Sequence, residues 1–299
     1  CQPRDKAMSH ARQFSVEISP LQGDQGRARL QQVIVGLQAM GPEFVSVTYG
    51  AGGATEQASL AALEQVQAAG AVGVPHLSAI GMTRASVRSL LAHYRTLGVR
   101  RLVILRGDAP SGQRGTGDFL FAGELVRFIR AECGAHFHLD VAAFPECHPQ
   151  ARNSDEDLRH FKAKVEAGAD SAITQYFFNP DAYADFIERC AASGITIPIV
   201  PGIMPIGSFS RLVGFSEARG IEIPRWIRMR MAAYGDDKAS IRALGIELAV
   251  RLCERLLALG APGLHFFSLN DDARVAEIWR SLNLPTSGTD TGRAAAKVA

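Results

Sequence analysis

Residues 101–108 read Arg-Leu-Val-Ile-Leu-Arg-Gly-Asp, which joins an apolar run to a polar end. Leu102 to Leu105 form an apolar run one strand in length, as expected for a parallel strand that is buried on both faces. The run ends abruptly in Arg106, Gly107 and Asp108. Polar residues directly after a buried strand are typical of α/β barrel enzymes, which place their sites at the carboxyl ends of the strands.

Seven other strand-like runs alternate with helical patterns along the chain. Thr83 is predicted to cap one helix, and Ser154, with Asp157 three residues later, is predicted to cap another. Glycines close most of the helices just before the next strand, where a left-handed residue is favoured, at positions 41, 70, 98, 134, 168, 194 and 260. The predicted strands are residues 14–18, 44–48, 72–77, 102–105, 138–142, 171–175, 196–200 and 264–267.

Eight strands with helical crossovers predict an α/β protein with a single (β/α)8 TIM barrel over residues 13–285. The alternative is an open doubly wound sheet, which often carries G-x-G-x-x-G after its first strand; residues 14–20 lack this motif. The crossover between strands seven and eight has room for two extra helices, one at residues 224–234 and a longer one through residues 244–256. We expect residues 1–12 to be a flexible N-terminal extension and residues 286–299 a disordered tail.

Composition disfavours several classes of function. A net charge of +2, from 32 basic and 30 acidic residues, implies neither a nucleic acid nor a membrane surface as partner. The five cysteines are scattered without a C-x-x-C pair, which predicts reduced thiols and a cytoplasmic location. G-x-S-x-G is absent, so acyl transfer by a triad is disfavoured. His136 and His138 share a strand face, but no third ligand has suitable spacing and no metal is expected.

Two carboxylates are the strongest catalytic candidates. Glu17 lies inside the first strand, where a charge is costly unless it is paired or used, and burial is expected to raise its pKa as a general acid requires. Asp108 follows the fourth strand and either serves chemistry or simply pairs with Arg106. Structural roles stay open for His76, His148 and Asp157, and for Tyr49, Phe144 and Tyr176 as core aromatics. The residues alone predict a barrel enzyme with one or two catalytic carboxylates and an aromatic-rimmed site.

Six motifs occur in an order that resembles one known family. They are Phe44-Val-Ser-Val-Thr-Tyr-Gly-Ala-Gly-Gly53, Pro75-His-Leu77, Leu105-Arg-Gly-Asp108, Ala143-Phe-Pro-Glu-Cys-His-Pro149, Ala172-Ile-Thr-Gln-Tyr-Phe-Phe178 and Pro201-Gly-Ile-Met-Pro205. Over roughly residues 14–284 the chain resembles methylenetetrahydrofolate reductase of the bacterial, catalytic-domain-only type. The resemblance implies a barrel that binds FAD, which NADH or NADPH reduces. The reduced flavin then passes hydride to 5,10-methylenetetrahydrofolate and gives 5-methyltetrahydrofolate, with ping-pong kinetics.

The resemblance also implies roles for individual residues. Glu17 matches the general acid that protonates the folate, and Asp108 matches a carboxylate beside both flavin and pterin. Gln175 matches an amide that contacts the pterin, and Phe215 an aromatic that stacks on the bound substrates. His148 and Lys164 are expected beside the diphosphate. The flavin contacts implied are Thr48, Tyr49, Ala51, His76, Leu105, Arg106, Gly107, Asp108, Phe121, Ala122, Phe144, His148, Ala151, Asp157, His160 and Lys164.

The chain departs from the family pattern at several positions. Glu17-Ile-Ser-Pro20 stands where Glu-Phe-Phe-Pro-Pro is usual, and Phe144 replaces a tyrosine. Arg211 replaces a glutamine near the folate, and Asp271 replaces an arginine that helps to hold the folate's glutamate tail; Arg211 or Arg274 is expected to compensate. Two alternatives stay open, a paralogue that oxidises 5-methyltetrahydrofolate and a non-catalytic flavin- or folate-binding subunit. The resemblance further implies a homo-oligomer, either a dimer or a tetramer.

Overall fold

The computed structural model describes residues 12–49, 55–107 and 117–286. Eight parallel strands form a closed barrel in which each strand pairs with the next and the eighth pairs with the first. The predicted (β/α)8 barrel is therefore confirmed. The strands are β1 Gln13–Ile18, β2 Val45–Val47, β3 Gly73–Ser78, β4 Arg101–Leu105, β5 His138–Ala143, β6 Ser171–Tyr176, β7 Ile199–Ile203 and β8 Gly263–Phe267.

Ten helices are formed by the described residues. They are α1 Gly23–Gln38, α2 Glu56–Ala68, α3 Arg84–Thr96, α4 Ala122–Cys133, α5 Ser154–Glu166, α6 Pro180–Ala192, α7 Phe209–Arg219, α8 Arg225–Ala233, α9 Lys238–Ala258 and α10 Asp272–Ser281. The two extra helices predicted before the last strand are α8 and α9. The sequence did not predict α7, because only Leu212 and Ser216 of its eleven residues are buried and the apolar period is too weak to show.

The predicted helix ends are partly right. All seven glycines have a positive φ, and Thr83 forms a capping box with Ser86 at the start of α3. The prediction for α5 was wrong, because Asn153 is the N-cap and its side chain accepts from the backbone of Glu156. Asp157 is consequently free of the cap, and its carboxylate accepts a 2.9 Å hydrogen bond from the backbone amide of His148.

Strand β7 begins and ends three residues later than predicted, because Pro201 and Gly202 continue the strand instead of turning. Gly202 is required there, since a Cβ atom would lie 2.2 Å from the carbonyl oxygen of Thr174 and 2.5 Å from the ring of Phe267. The amide of Gly202 donates instead to the Thr174 hydroxyl at 2.9 Å. The strand therefore passes close to its neighbours at the level of the site.

The main core lies between the strands and the surrounding helices, where Trp279 of α10 packs edge-on against Phe14 with centroids 5.7 Å apart. The barrel interior contains a buried ion pair. Arg101 donates two hydrogen bonds, of 2.6 and 2.9 Å, to the fully buried carboxylate of Asp140. Such a pair is costly to bury but even more costly to break, because one partner would be left as an uncompensated charge.

Three findings bear on the remaining expectations. Apart from Arg12 and Thr286, the predicted N-terminal extension and C-terminal tail lie outside the described residues. The four cysteines in the described ranges are free thiols. None of the described helices is long and apolar enough to cross a membrane.

Candidate active site

Glu17 lies near the carboxyl end of β1, in register with Ser46 and Phe267 on the neighbouring strands. Its side chain is only 18% exposed, and its Oε2 lies 3.6 Å from Nε2 of His76 on β3. Burial raises the pKa of Glu17 to about 8, while the positive charge of Arg219 acts to lower it. The expected direction of this pKa is confirmed, and the shift favours the protonated form of Glu17 at neutral pH.

The loop after β8 fixes the end of β1 beside this acid. The Ser268 hydroxyl donates to the backbone carbonyl of Glu17 at 2.5 Å. The Asn270 side chain accepts from the amide of Ser19 at 2.9 Å and donates to the Ser19 carbonyl at 2.8 Å. Sequence reasoning gave these residues no role, and the only local signal was a polar Ser-Leu-Asn run after a strand.

A second group lies at the ends of β4 and the following helix. The Arg106 guanidinium lies 5.7 Å from the ring centroid of Phe121, and the His160 ring stacks nearly parallel to Phe121 at 6.4 Å. Phe121, directly before Ala122 of α4, is 52% exposed. Arg106 Nη1 donates to Gln150, whereas its buried Nε has no partner among the described residues. The structure thus brings together an open aromatic face and a cation, which suits a planar ligand.

Gly107 completes the turn after β4. Its φ is +80°, and a Cβ atom would lie 3.0 Å from Cβ of Ser78. Any other residue would be strained there and would crowd the neighbouring strand end. Gly107 therefore lets the backbone directly after Arg106 lie close to Ser78 at the end of β3.

The third group follows β5. The rings of Phe144 and His148 meet edge to face at 4.5 Å, and Asp157 binds the His148 backbone. Ala151 joins the same turn, because its amide donates to the His148 carbonyl at 2.9 Å. Lys164 donates to the carbonyl of Ala142 at 2.5 Å, and burial lowers the pKa of its ammonium to about 8, against the opposing effect of Asp157.

Helix α7 carries two of the predicted substrate contacts, Arg211 and Phe215. Arg211, Phe215 and Arg219 recur at intervals of four and share one face of the helix. The Arg219 guanidinium lies 5.4 Å from the Phe215 ring, and Arg219 also lines a small pocket with Phe144 and Gln175. Sequence reasoning missed Arg219, because nothing in the local sequence shows that the charge of this exposed arginine acts on Glu17.

The departure at Asp271 has a structural explanation. Its carboxylate caps α10 by accepting from the amide of Arg274 at 3.0 Å, and it forms a 2.6 Å ion pair with the Arg274 side chain. The Arg274 side chain is only 14% exposed. It packs against Gly207, where a Cβ atom would lie 2.0 Å from Nη2 of Arg274. Since Asp271 already neutralises Arg274, the exposed Arg211 is the better placed of the two to meet an anionic ligand.

Two further predicted flavin contacts, Thr48 and Tyr49, follow β2. Thr48 is buried and donates to the Ser19 hydroxyl at 3.3 Å. Tyr49 donates to Glu56 of α2 at 3.2 Å, and burial together with Glu56 raises the pKa of Tyr49 to about 12. Asp108 and Ala51 lie outside the described residues. Among the described ranges, no three His, Cys, Asp or Glu side chains are arranged to hold a metal ion.

Comparisons with known proteins give consistent matches. The family model for methylenetetrahydrofolate reductase matches residues 3–283. The 5,10-methylenetetrahydrofolate reductases of Salmonella typhimurium and Escherichia coli are each 34% identical over 257 residues, which is 86% of this chain and 86% of theirs. A probable methylenetetrahydrofolate reductase (NADH) of Oryza sativa is 35% identical over 288 residues, or 91% of this chain. The chain spans only 48% of that plant protein.

A solved structure matches the fold. It is a protein from Clostridium thermocellum that binds two copies of 5-methyl-5,6,7,8-tetrahydrofolic acid. It aligns with a TM-score of 0.65, covering 91% of this chain and 95% of its own, at 17% sequence identity. At that identity the match supports the barrel fold alone.

Proposed function

Because the chain belongs to the methylenetetrahydrofolate reductase family, we propose that it reduces 5,10-methylenetetrahydrofolate to 5-methyltetrahydrofolate. We further propose that NADH or NADPH is the electron donor, that FAD is the bound cofactor, and that residues 13–285 form the catalytic domain. The observation that carries the proposal is the buried carboxyl of Glu17 at the barrel mouth, whose pKa is raised by desolvation. An acid of that kind is what opening of the folate's methylene bridge requires.

The residues around the mouth fit FAD. The exposed Phe121 face, flanked by Arg106 and His160, offers a stacking surface for a planar ring. Arg106 Nε has no acceptor among the residues that the structure describes and is available as a donor, and His148 and Lys164 add nitrogen donors beyond β5. When bound, FAD supplies the hydride relay between nicotinamide and folate.

The protein's own contribution to the chemistry is the handling of one proton. Glu17 holds that proton at neutral pH because its carboxyl is desolvated, and it transfers the proton to a nitrogen of the methylene bridge. The bridge then opens to an iminium ion that accepts hydride. The Arg219 charge favours the carboxylate that remains on Glu17. We expect Gln175, which lines a small pocket together with Arg219, to orient the pterin.

The test separates the two half-reactions. Glu17→Gln is expected to slow folate reduction by about 10²- to 10⁴-fold, the range for loss of a general acid, while NADH still bleaches the bound flavin. The matched control is Glu247→Gln, which removes a surface carboxylate paired with Arg251 on α9 and should leave both rates unchanged. Full folate reduction by Glu17→Gln would remove the acid assignment. A purified protein that takes up no FAD would contradict the proposal as a whole.

The choice of donor and the assembly state stay predictions. Relatives from Oryza sativa and Zea mays are named as NADH enzymes, which makes NADH the first donor to test. Anaerobic bleaching with NADH and with NADPH, at equal concentrations, decides between them. The predicted dimer or tetramer is checked by light scattering of the purified protein.

A further inference from the structure

The imidazole of His76 faces the acid without forming a hydrogen bond. His76 on β3 and Glu17 on β1 are separated by β2, yet their side chains meet with Nε2 3.6 Å from Oε2. That distance exceeds a hydrogen bond. Nε2 of His76 is buried and has no partner among the described residues. A buried polar atom that is left unpaired beside a catalytic acid calls for an explanation.

The charges around His76 leave it neutral. Burial lowers the pKa of His76 to about 4, and the carboxylate of Asp140 on β5 acts against this without prevailing. His265 on β8 is the other titratable group nearby. Burial lowers its pKa to about 3, so His265 is neutral as well. A neutral imidazole carries one N–H, on either Nδ1 or Nε2. The nitrogen that carries the proton determines what His76 can offer to Glu17.

Glu17 needs a donor only after it has lost its proton. Apart from the neighbouring His76, the carboxyl of Glu17 is influenced by the positive charge of Arg219 on α7. While Glu17 is protonated, neither Glu17 nor His76 is charged, so the 3.6 Å separation of Nε2 and Oε2 loses little electrostatic energy. Once Glu17 is a carboxylate in this desolvated position, a neighbouring N–H becomes valuable, because hydrogen bonds to ionised groups are the strong ones. Catalytic hydrogen bonds are often long without substrate and tighten during the reaction.

We propose that His76 is a positioning residue for Glu17, carrying its proton on Nε2 and donating it as a hydrogen bond to Oε2 when Glu17 becomes a carboxylate. No proton leaves His76 in this step. The other carboxyl oxygen, Oε1, is left to carry the proton that Glu17 transfers. This inference rests on the proposed function, in which Glu17 is the acid. It assigns His76 a task toward the acid that is separate from the flavin contact expected from the sequence.

Two variants of the same chemical type test the contact. The amide nitrogen of His76→Gln reaches the position of Nε2, whereas that of His76→Asn reaches only the position of Nδ1. The carboxyl of Glu17 is titrated by infrared difference spectroscopy, with Glu17→Gln as the reference. We expect His76→Asn to raise the pKa of Glu17 by about one unit, because a donor to the carboxylate is lost. In His76→Gln the pKa of Glu17 should lie close to its wild-type value, because the donor is present again.

Kinetics give a second measurement. Folate reduction requires protonated Glu17, so its rate falls at high pH. In His76→Asn this fall should move to higher pH, because the pKa of Glu17 is higher. The rate of folate reduction at neutral pH should drop about tenfold in His76→Asn and recover in part in His76→Gln. Rates are expressed per bound FAD, so that any effect on cofactor uptake is removed. Equal titration curves for the two variants would overturn the proposal.

A measurement on the unaltered protein covers the case in which neither variant folds. Two-dimensional ¹⁵N NMR of the histidine side chains reports the tautomer directly. The proposal requires Nε2–H on His76, and a finding of Nδ1–H would refute it. The outcomes also separate the two hypotheses. An inactive wild-type protein refutes the proposed function, whereas an active one with unmoved titration curves refutes the role of His76 alone.

Discussion

Replacing Glu17 by glutamine is expected to stabilise the protein, increasingly so as the pH rises. Burial raises the pKa of Glu17 from its ordinary 4.5 to about 8. Below pH 4.5 the carboxyl is protonated in both the folded and the unfolded chain, and it has no effect on the pH dependence of stability. Between 4.5 and 8 the unfolded chain releases the proton and the folded chain keeps it, so the wild-type protein loses stability as the pH rises.

The size of this loss follows from the gap between the two pKa values. At 1.36 kcal/mol for each pKa unit, the gap corresponds to an upper bound of roughly 5 kcal/mol across the whole window. The side chain is 18% exposed, and solvent that reaches it reduces the penalty. We therefore expect the free energy of unfolding of Glu17→Gln, relative to that of the wild-type protein, to rise by about 2 to 3 kcal/mol between pH 4.5 and pH 8.

Urea unfolding at about pH 5, 7 and 9 measures the difference between the two proteins. Both must be freed of FAD, because a ligand that binds only the folded state adds its own stabilisation. Glu247→Gln serves as control and should follow the wild-type curve within about 0.5 kcal/mol, since surface ion pairs contribute little. A difference between Glu17→Gln and wild type that stays flat over this range would refute the reasoning, because it would mean that folding leaves the ionisation of Glu17 unchanged.

Three further predictions concern the barrel and its mouth. Asp140→Asn should cost about 3 to 5 kcal/mol in urea unfolding, because it leaves Arg101 charged inside the barrel; a cost below about 1 kcal/mol would contradict this. Gly202→Ala should destabilise strongly in thermal unfolding, whereas Gly214→Ala, with nothing within 4 Å, should stabilise α7 by about 0.5 to 1 kcal/mol; equal effects would contradict the crowding. Phe121→Ala should weaken FAD binding about tenfold in a fluorescence titration, and unchanged affinity would exclude stacking on Phe121.

The elements that the sequence predicted are those with strong local signals. The strands are buried on both faces and appear as apolar runs, as residues 102–105 do. The raised pKa of Glu17 followed from a carboxylate inside such a run. Helix α7 had no comparable signal, since it buries only Leu212 and Ser216. Periodicity detects helices that are covered by the core, and a helix lying over the site escapes it.

The parts of the site that could not be predicted depend on contacts between distant residues. Asn270 binds the backbone of Ser19 across 251 positions of the sequence, and no local pattern specifies such a pair. From the sequence, Asp271 is expected to remove the family's usual contact to the folate's glutamate tail, with Arg211 or Arg274 compensating. The structure shows that Asp271 caps α10 and neutralises Arg274. Only the closed barrel, in which β8 pairs with β1, brings Asn270 to the end of β1.

The stretch at residues 101–108 connects the stability of the barrel to the chemistry at its mouth. Arg101 at the start of β4 holds the carboxylate of Asp140, and Arg106 just after its end lies beside Phe121. The carboxylate of Asp140 acts to raise the pKa of His76, but desolvation is the larger effect and lowers that pKa to about 4, which favours the neutral imidazole. A protonated His76 would favour the carboxylate of Glu17 through its charge, so Glu17 would lose its proton to solvent and an ion pair would replace the acid. Because Arg101 offsets the charge of Asp140, the buried pair favours a neutral His76 and so a protonated Glu17.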